Sequence, residues 1–217
     1  MSEKNSMDLQ KVKANSEAFV INAGGKVLDW LPIIEWSEPR PLQDIIERAL
    51  IINAMYQLHI GAPKQYIAEW LSRNNLSHAL SSQEASIFDN PSFNLTDDEN
   101  FYLYFSLDAL WAIAWATNLT NDLSFNEPIG SELAQLSPNL QLNENGDKYI
   151  KMMRLRSTIE LYSMRDLYYR LHWWLQNEFD NTALVDEQLY FSVLERRKAL
   201  EWIMDVNSTW DSVDMSL

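Results

Sequence analysis

The stretch RDLYYRLHWWLQ, Arg165 to Gln176, sets one aspartate, two arginines and a histidine among four large aromatics. Histidine titrates near neutrality, so His172 beside Asp166 and Arg170 has the residue types of an acid–base centre. With Glu160 earlier in the same segment and Asp108 from another, the catalytic candidates are Asp108, Glu160, Asp166 and His172. The same residues have a plainer reading. A histidine between Leu171 and Trp173 on an aromatic helix is more often a hydrogen-bonded core residue. An inward-facing guanidinium, moreover, cannot shed its charge and needs a carboxylate beside it. The expectation is a buried polar seam of Asp108, Glu160, Asp166, Arg170, Arg196 and Arg197, in which Arg196 or Arg197 meets one of the three acids.

Other chemistries find no motif. No G-x-S-x-G elbow, P-loop or G-x-G-x-x-G occurs, and Gly24-Gly25 alone is far too weak a nucleotide signal. His59 and His78 complete the histidines, without H-E-x-x-H or E-x-x-H spacing. There is no cysteine, which removes thiolate ligands, disulfides and cysteine nucleophiles. No metal site and no cofactor is therefore expected.

These side chains need helices to position them. LQDIIERALIINAMYQLHI from Leu42 repeats its apolar residues every three to four positions, and Gly61 closes that helix. GAPKQYIAEWLSRNN starts a second helix at Pro63, where a missing N–H is harmless. SSQE (Ser81 to Glu84) and TDDE (Thr96 to Glu99) are capping boxes, each marking a helix start. The helix carrying LDALWAIAWA is apolar on nearly every face and belongs at the centre, with Asp108 as its one charge. A short helix near Ser131 to Leu136 follows. A long helix then spans about Ser157 to Phe179, and the last, capped by Asp186, carries Arg196 and Arg197 among Leu189, Val193, Leu200 and Ile203.

Residues 1–23 read as a loosely attached polar leader, and 24–217 as one domain, beginning with an extended or irregular segment broken by Gly24, Gly25, Pro32, Pro39 and Pro41. Trp30, Trp36 and Trp210 fall in irregular segments and are the candidates for an exposed interface. The predicted fold class is all-α, a single compact multi-helix domain.

Charge narrows the partners. Against 31 Asp and Glu there are 17 Lys and Arg, a net charge of −14, which opposes binding to phosphate backbones. No nucleic acid is expected. The most apolar stretch, Leu107 to Ala116, is short of the roughly 18 residues of a membrane span. The polar start MSEKNSMDLQ lacks a secretory signal pattern, so the expected location is the cytoplasm.

Taken together, LPIIEWSEPRPLQDIIERALIINAM, LSSQEASIF, FSLDALWAIAWATN, LRSTIELYSMRDLYYRLHWW and ERRKALEWIMDVNSTWD resemble the bacterial domain-of-unknown-function family numbered 4272, over about Leu28 to Val213. The resemblance implies a compact α-helical domain. It supplies no catalytic residue set. The leading functional expectation is a protein-binding module, of the kind that as an immunity protein neutralises a basic toxin or effector. The alternatives are a hydrolase or transferase built on the Asp108, Glu160, Asp166 and His172 neighbourhood, and a structural homodimer.

Overall fold

A computed structural model describes residues 9–90, 92, 94–182 and 186–217, with only the backbone of 181 and 182. Among them are nine α-helices and no strand: α1 (Leu9–Asn22), α2 (Leu42–His59), α3 (Lys64–Arg73), α4 (Ser82–Asp89), α5 (Asp97–Ala116), α6 (Leu133–Leu136), α7 (Asp147–Met152), α8 (Thr158–Thr182) and α9 (Glu187–Met204). The fold is all-α. Both capping boxes form, with Ser81 and Thr96 each accepting from the third helical N–H while Glu84 and Glu99 reach back. The Asp186 side chain accepts from the Gln188 amide at the head of α9.

The large helices pack in the order α3, α2, α5, α9, α8, α1. α5 lies between α2 and α9, which explains why it is apolar around most of its circumference: Leu110, Ala112, Ile113 and Ala116 are all buried. α9 is likewise covered on two sides, by α5 and by α8. Consecutive residues on a helix point about 100° apart, so Arg196 and Arg197 each face a neighbouring helix and both are buried.

The leader expectation needs correction. Residues 1–8 lie outside the described residues, but 9–22 form α1, which packs on α8. Val20 is fully buried, Lys13 donates to the carbonyl oxygens of Asp29 (3.1 Å) and Leu31 (2.5 Å), and Glu17 lies 3.4 Å from Arg170. The polar composition hid these few anchoring contacts. Behind α1, Gly24 takes a positive φ of 88°, and a Cβ on Gly25 would stand 2.5 Å from the Trp174 ring. This pair is a tight packing turn. Residues 24–41 are otherwise irregular up to the start of α2, as expected.

Two arginines close the central helices. Arg156 donates from Nε to the carbonyl of Trp115 (2.7 Å) and from Nη2 to that of Thr120 (2.9 Å), with its guanidinium 4.6 Å from the Trp115 ring centroid. Arg40 does the same for α9: Nε meets the Trp202 carbonyl (2.6 Å), Nη2 the Asp205 and Ser208 carbonyls, and the group lies 3.9 Å from the Trp202 ring centroid. A cation at the negative end of a helix that satisfies its last carbonyls stabilises it twice over. Arg156→Ala is expected to lower unfolding free energy by about 2 to 3 kcal/mol. Arg156→Lys should recover only part of that, because it lacks the planar fork; urea titrations of the three proteins measure both.

Candidate functional site

The charged residues that the sequence singled out fall into separate places. Asp108 on α5 and Arg196 on α9 form one buried pair, with Nε at 2.8 Å and Nη2 at 2.7 Å from Oδ1. Ser192 donates to Oδ2 (3.1 Å), and the guanidinium also reaches the carbonyls of Ser124 (2.7 Å) and Glu127 (3.1 Å). Arg196 thereby ties the loop after α5 to the core. Burial pushes the Asp108 carboxyl up, against the pull of Arg196 and Ser192. From α8, the Tyr168 hydroxyl donates to the Leu123 carbonyl at 3.0 Å, adding a second hold on the same loop.

The second pair lies within α8. Arg170 grips both oxygens of Asp166, Nε to Oδ2 at 3.0 Å and Nη2 to Oδ1 at 2.8 Å, and donates to the Pro32 carbonyl at 3.0 Å. Asp166 and Arg170 are 1% and 0% exposed, so this i,i+4 pair is a core element rather than a solvated one.

Glu160 does not belong to the seam. Its side chain is half exposed, accepting from the Ser157 amide (3.1 Å) and hydroxyl (2.6 Å) and from Arg156 (3.2 Å). The Ser157 hydroxyl bond, ahead of the opposing effect of partial desolvation, holds its carboxyl below the usual range. The motif S-T-I-E is a third capping box, and the first-turn position turns Glu160 back along the backbone instead of inward.

Arg197 also finds a partner other than the expected acids. Its Nε donates to Glu201 Oε1 (3.2 Å), and Arg165 Nε donates to Glu201 Oε2 (2.5 Å), so one buried carboxylate bridges two guanidiniums. Sequence reasoning missed Glu201, although the i,i+4 spacing Arg197–Glu201 in RRKALE was its signal. Arg197 Nη1 lies 2.5 Å from His172 Nδ1. A guanidinium only donates, so Nδ1 accepts and the ring proton sits on Nε2, which is buried without a partner. Burial, and secondarily the Arg197 charge, push His172 down to about 3. A neutral imidazole with its lone pair already engaged is not a free base. Arg48–Glu84 (2.7 Å) is a further buried pair, in which the carboxylate that closes the Ser81 capping box also meets a guanidinium from α2.

Trp210 is not exposed. It is 4% accessible, 5.4 Å from the Trp202 ring, with Arg48 and Lys198 at 4.9 Å from its own ring. The short irregular segment around it folds back onto the core, where Asp211 Oδ2 accepts from the Ser82 amide at the head of α4 (2.6 Å). Trp36 is half-buried against Tyr162, 5.3 Å between rings, with its Nε1 donating to Glu38 (3.2 Å). Trp30 is 68% exposed.

Trp30 and Trp36 edge a groove of about 790 Å3 that runs between residues 30–37 and 204–217. Arg165, Arg197 and Glu201 line its floor beside Tyr169, while Glu35, Asp205 and Asp214 line its walls. The floor carries two cations around one anion, and the walls carry three more carboxylates. Asp108, Glu160, Asp166 and His172 are not among its lining residues, so this groove does not bring the catalytic candidates together. Among the described residues, no three His, Asp or Glu side chains are grouped to hold a metal ion, and no helix is long and apolar enough to cross a membrane.

The family model described as Domain of unknown function (DUF4272) matches residues 12–213, nearly the whole chain. The chain belongs to that family. The match to DUF4272 takes in most of α1, which is consistent with that helix being a packed part of the domain. No curated protein and no solved structure matches.

Proposed function

We propose that this DUF4272 protein is a binding module whose groove receives a basic segment of a partner protein. The partner class we infer is a basic toxin or effector, neutralised by occlusion in the manner of an immunity protein. The absence of cysteine fits action in a reducing cytoplasm. The observation that carries the reading is the groove itself: an exposed tryptophan at its edge, acidic walls, and a floor whose two guanidiniums are tied to the Glu201 carboxylate. Exposed aromatic anchors supply binding energy at small conformational cost. Carboxylate walls on a chain of net charge −14 steer cations toward it.

The test begins with the tagged full chain recovered from its own cells, with co-purifying proteins identified. A partner with a basic surface is expected, held less tightly as salt rises. Trp30→Ala should weaken its binding about 30-fold, corresponding to roughly 2 kcal/mol for an aromatic anchor buried by the partner. Glu35→Lys should chiefly slow association. A partner bound equally well by both variants places the interface elsewhere, and recovery of a small molecule instead of a protein overturns the reading.

A further inference from the structure

The groove is partly filled by the chain's own residues. Residues 213–217 run without regular structure along one wall, and Arg197 holds them by two main-chain carbonyls: Nη1 to Met215 at 3.1 Å and Nη2 to Ser216 at 2.9 Å. On the other wall, Arg165 Nη1 donates to the Glu35 carbonyl at 3.2 Å. Both floor guanidiniums thus donate to main-chain carbonyls of segments without regular structure, which is a sequence-independent way of holding a peptide.

We infer that residues 213–217 are a self-ligand, a strap on the Arg197 donors that an extended basic segment of the partner displaces. This rests on the binding reading above. Three observations carry it. The strap is only lightly buried: Val213 and Met215 are half-buried, while Asp214, Ser216 and Leu217 are exposed. Segments with few buried contacts open at low free energy. Arg197 is also held by Glu201 and His172, two contacts in which the strap takes no part. The strap also brings an acid, Asp214, into a groove already walled by Glu35 and Asp205. Its replacement by a cationic segment offering two equivalent carbonyls preserves the hydrogen bonds and reverses the sign of the charge at that wall. The expected ligand is accordingly an extended lysine- and arginine-containing segment.

The chain has no cysteine, so Leu217→Cys provides one nitroxide attachment point on the strap of the full chain. The probe is a fluorescent peptide of about ten residues (~3.3 Å each when extended) with alternating lysine, arginine and small residues. Its affinity is read by anisotropy on the unlabelled wild type, Trp30→Ala and Val213→Gly, and strap mobility by the nitroxide spectrum. Binding weakened by Trp30→Ala, tightened about three- to tenfold by Val213→Gly, and accompanied by a nitroxide that becomes mobile on saturation supports the strap. Trp30-dependent binding with an unchanged nitroxide and no gain from Val213→Gly overturns the strap and leaves the binding reading standing. Binding that ignores Trp30→Ala overturns both.

Discussion

Arg196→Ala is expected to lower the unfolding free energy by about 3 to 5 kcal/mol, the cost of removing one partner of a buried ion pair. The substitution strands Asp108, 3% exposed, without its counter-charge, and leaves the Ser124 and Glu127 carbonyls without their donor. An unpaired buried carboxylate either takes a proton or opens the α5–α9 contact to water. Both routes are costly. The pair as a whole contributes much less than its rupture costs, since desolvating two ions offsets most of their attraction. Asp108→Leu combined with Arg196→Met should therefore lose less than Arg196→Ala alone. The remaining loss, about 1 to 3 kcal/mol, is that of the loop carbonyls. Urea titrations followed by tryptophan fluorescence read all three free energies. A double variant no more stable than Arg196→Ala would show that the loop contacts, and not the ion pair, dominate.

Helices and charges were legible in the sequence to different depths. Local signals act over three or four residues, and these were reliable: Ser81–Glu84, Thr96–Glu99 and Asp186 each cap the expected helix. The all-round apolar character of α5 correctly put it at the centre, and from that the burial of Asp108 and its need for an arginine followed. Partner choice was harder, because it depends on which helices are neighbours in space. Arg197 turns to α8 and finds His172, while its carboxylate partner Glu201 sits on its own helix. Arg40 and Arg156 lie in segments with no periodicity, and their targets are carbonyls, which no residue type advertises. α1 was hidden for a related reason: half of its residues are polar, and it is anchored by Val20, by the Glu17–Arg170 ion pair and by Lys13 on the Leu31 carbonyl, none of which a periodic pattern marks. The groove likewise joins segments about 130 to 180 residues apart in sequence, such as 35 with 165 and 30–37 with 204–217. Its parts, Trp30 and Trp36, were visible singly; their common opening was not.

The acid limb of the stability curve should be set in large part by His172. In the folded chain the imidazole is held down to about 3, by burial first and by the Arg197 guanidinium second. In the unfolded chain it titrates near 6.5. Between those values the unfolded state binds a proton that the folded state refuses, so stability rises with pH across the window. Going downward, the contribution of a neutral His172 is complete above about 6.5 and is lost as pH falls toward about 3, at up to ~1.4 kcal/mol per pH unit. From pH 8 to pH 5 that amounts to a loss of about 2 kcal/mol. His172→Asn separates this from the carboxylates, since its side-chain oxygen can accept from Arg197 near the place of Nδ1 but takes up no proton. Urea midpoints at pH 8 and pH 5 should therefore differ by about 2 kcal/mol less in His172→Asn than in the wild type. Equal differences in the two proteins would mean that His172 charges without unfolding the chain. It would then be open to water beside Arg197, and its place as a neutral core residue would have to be given up in favour of a solvated acid–base group.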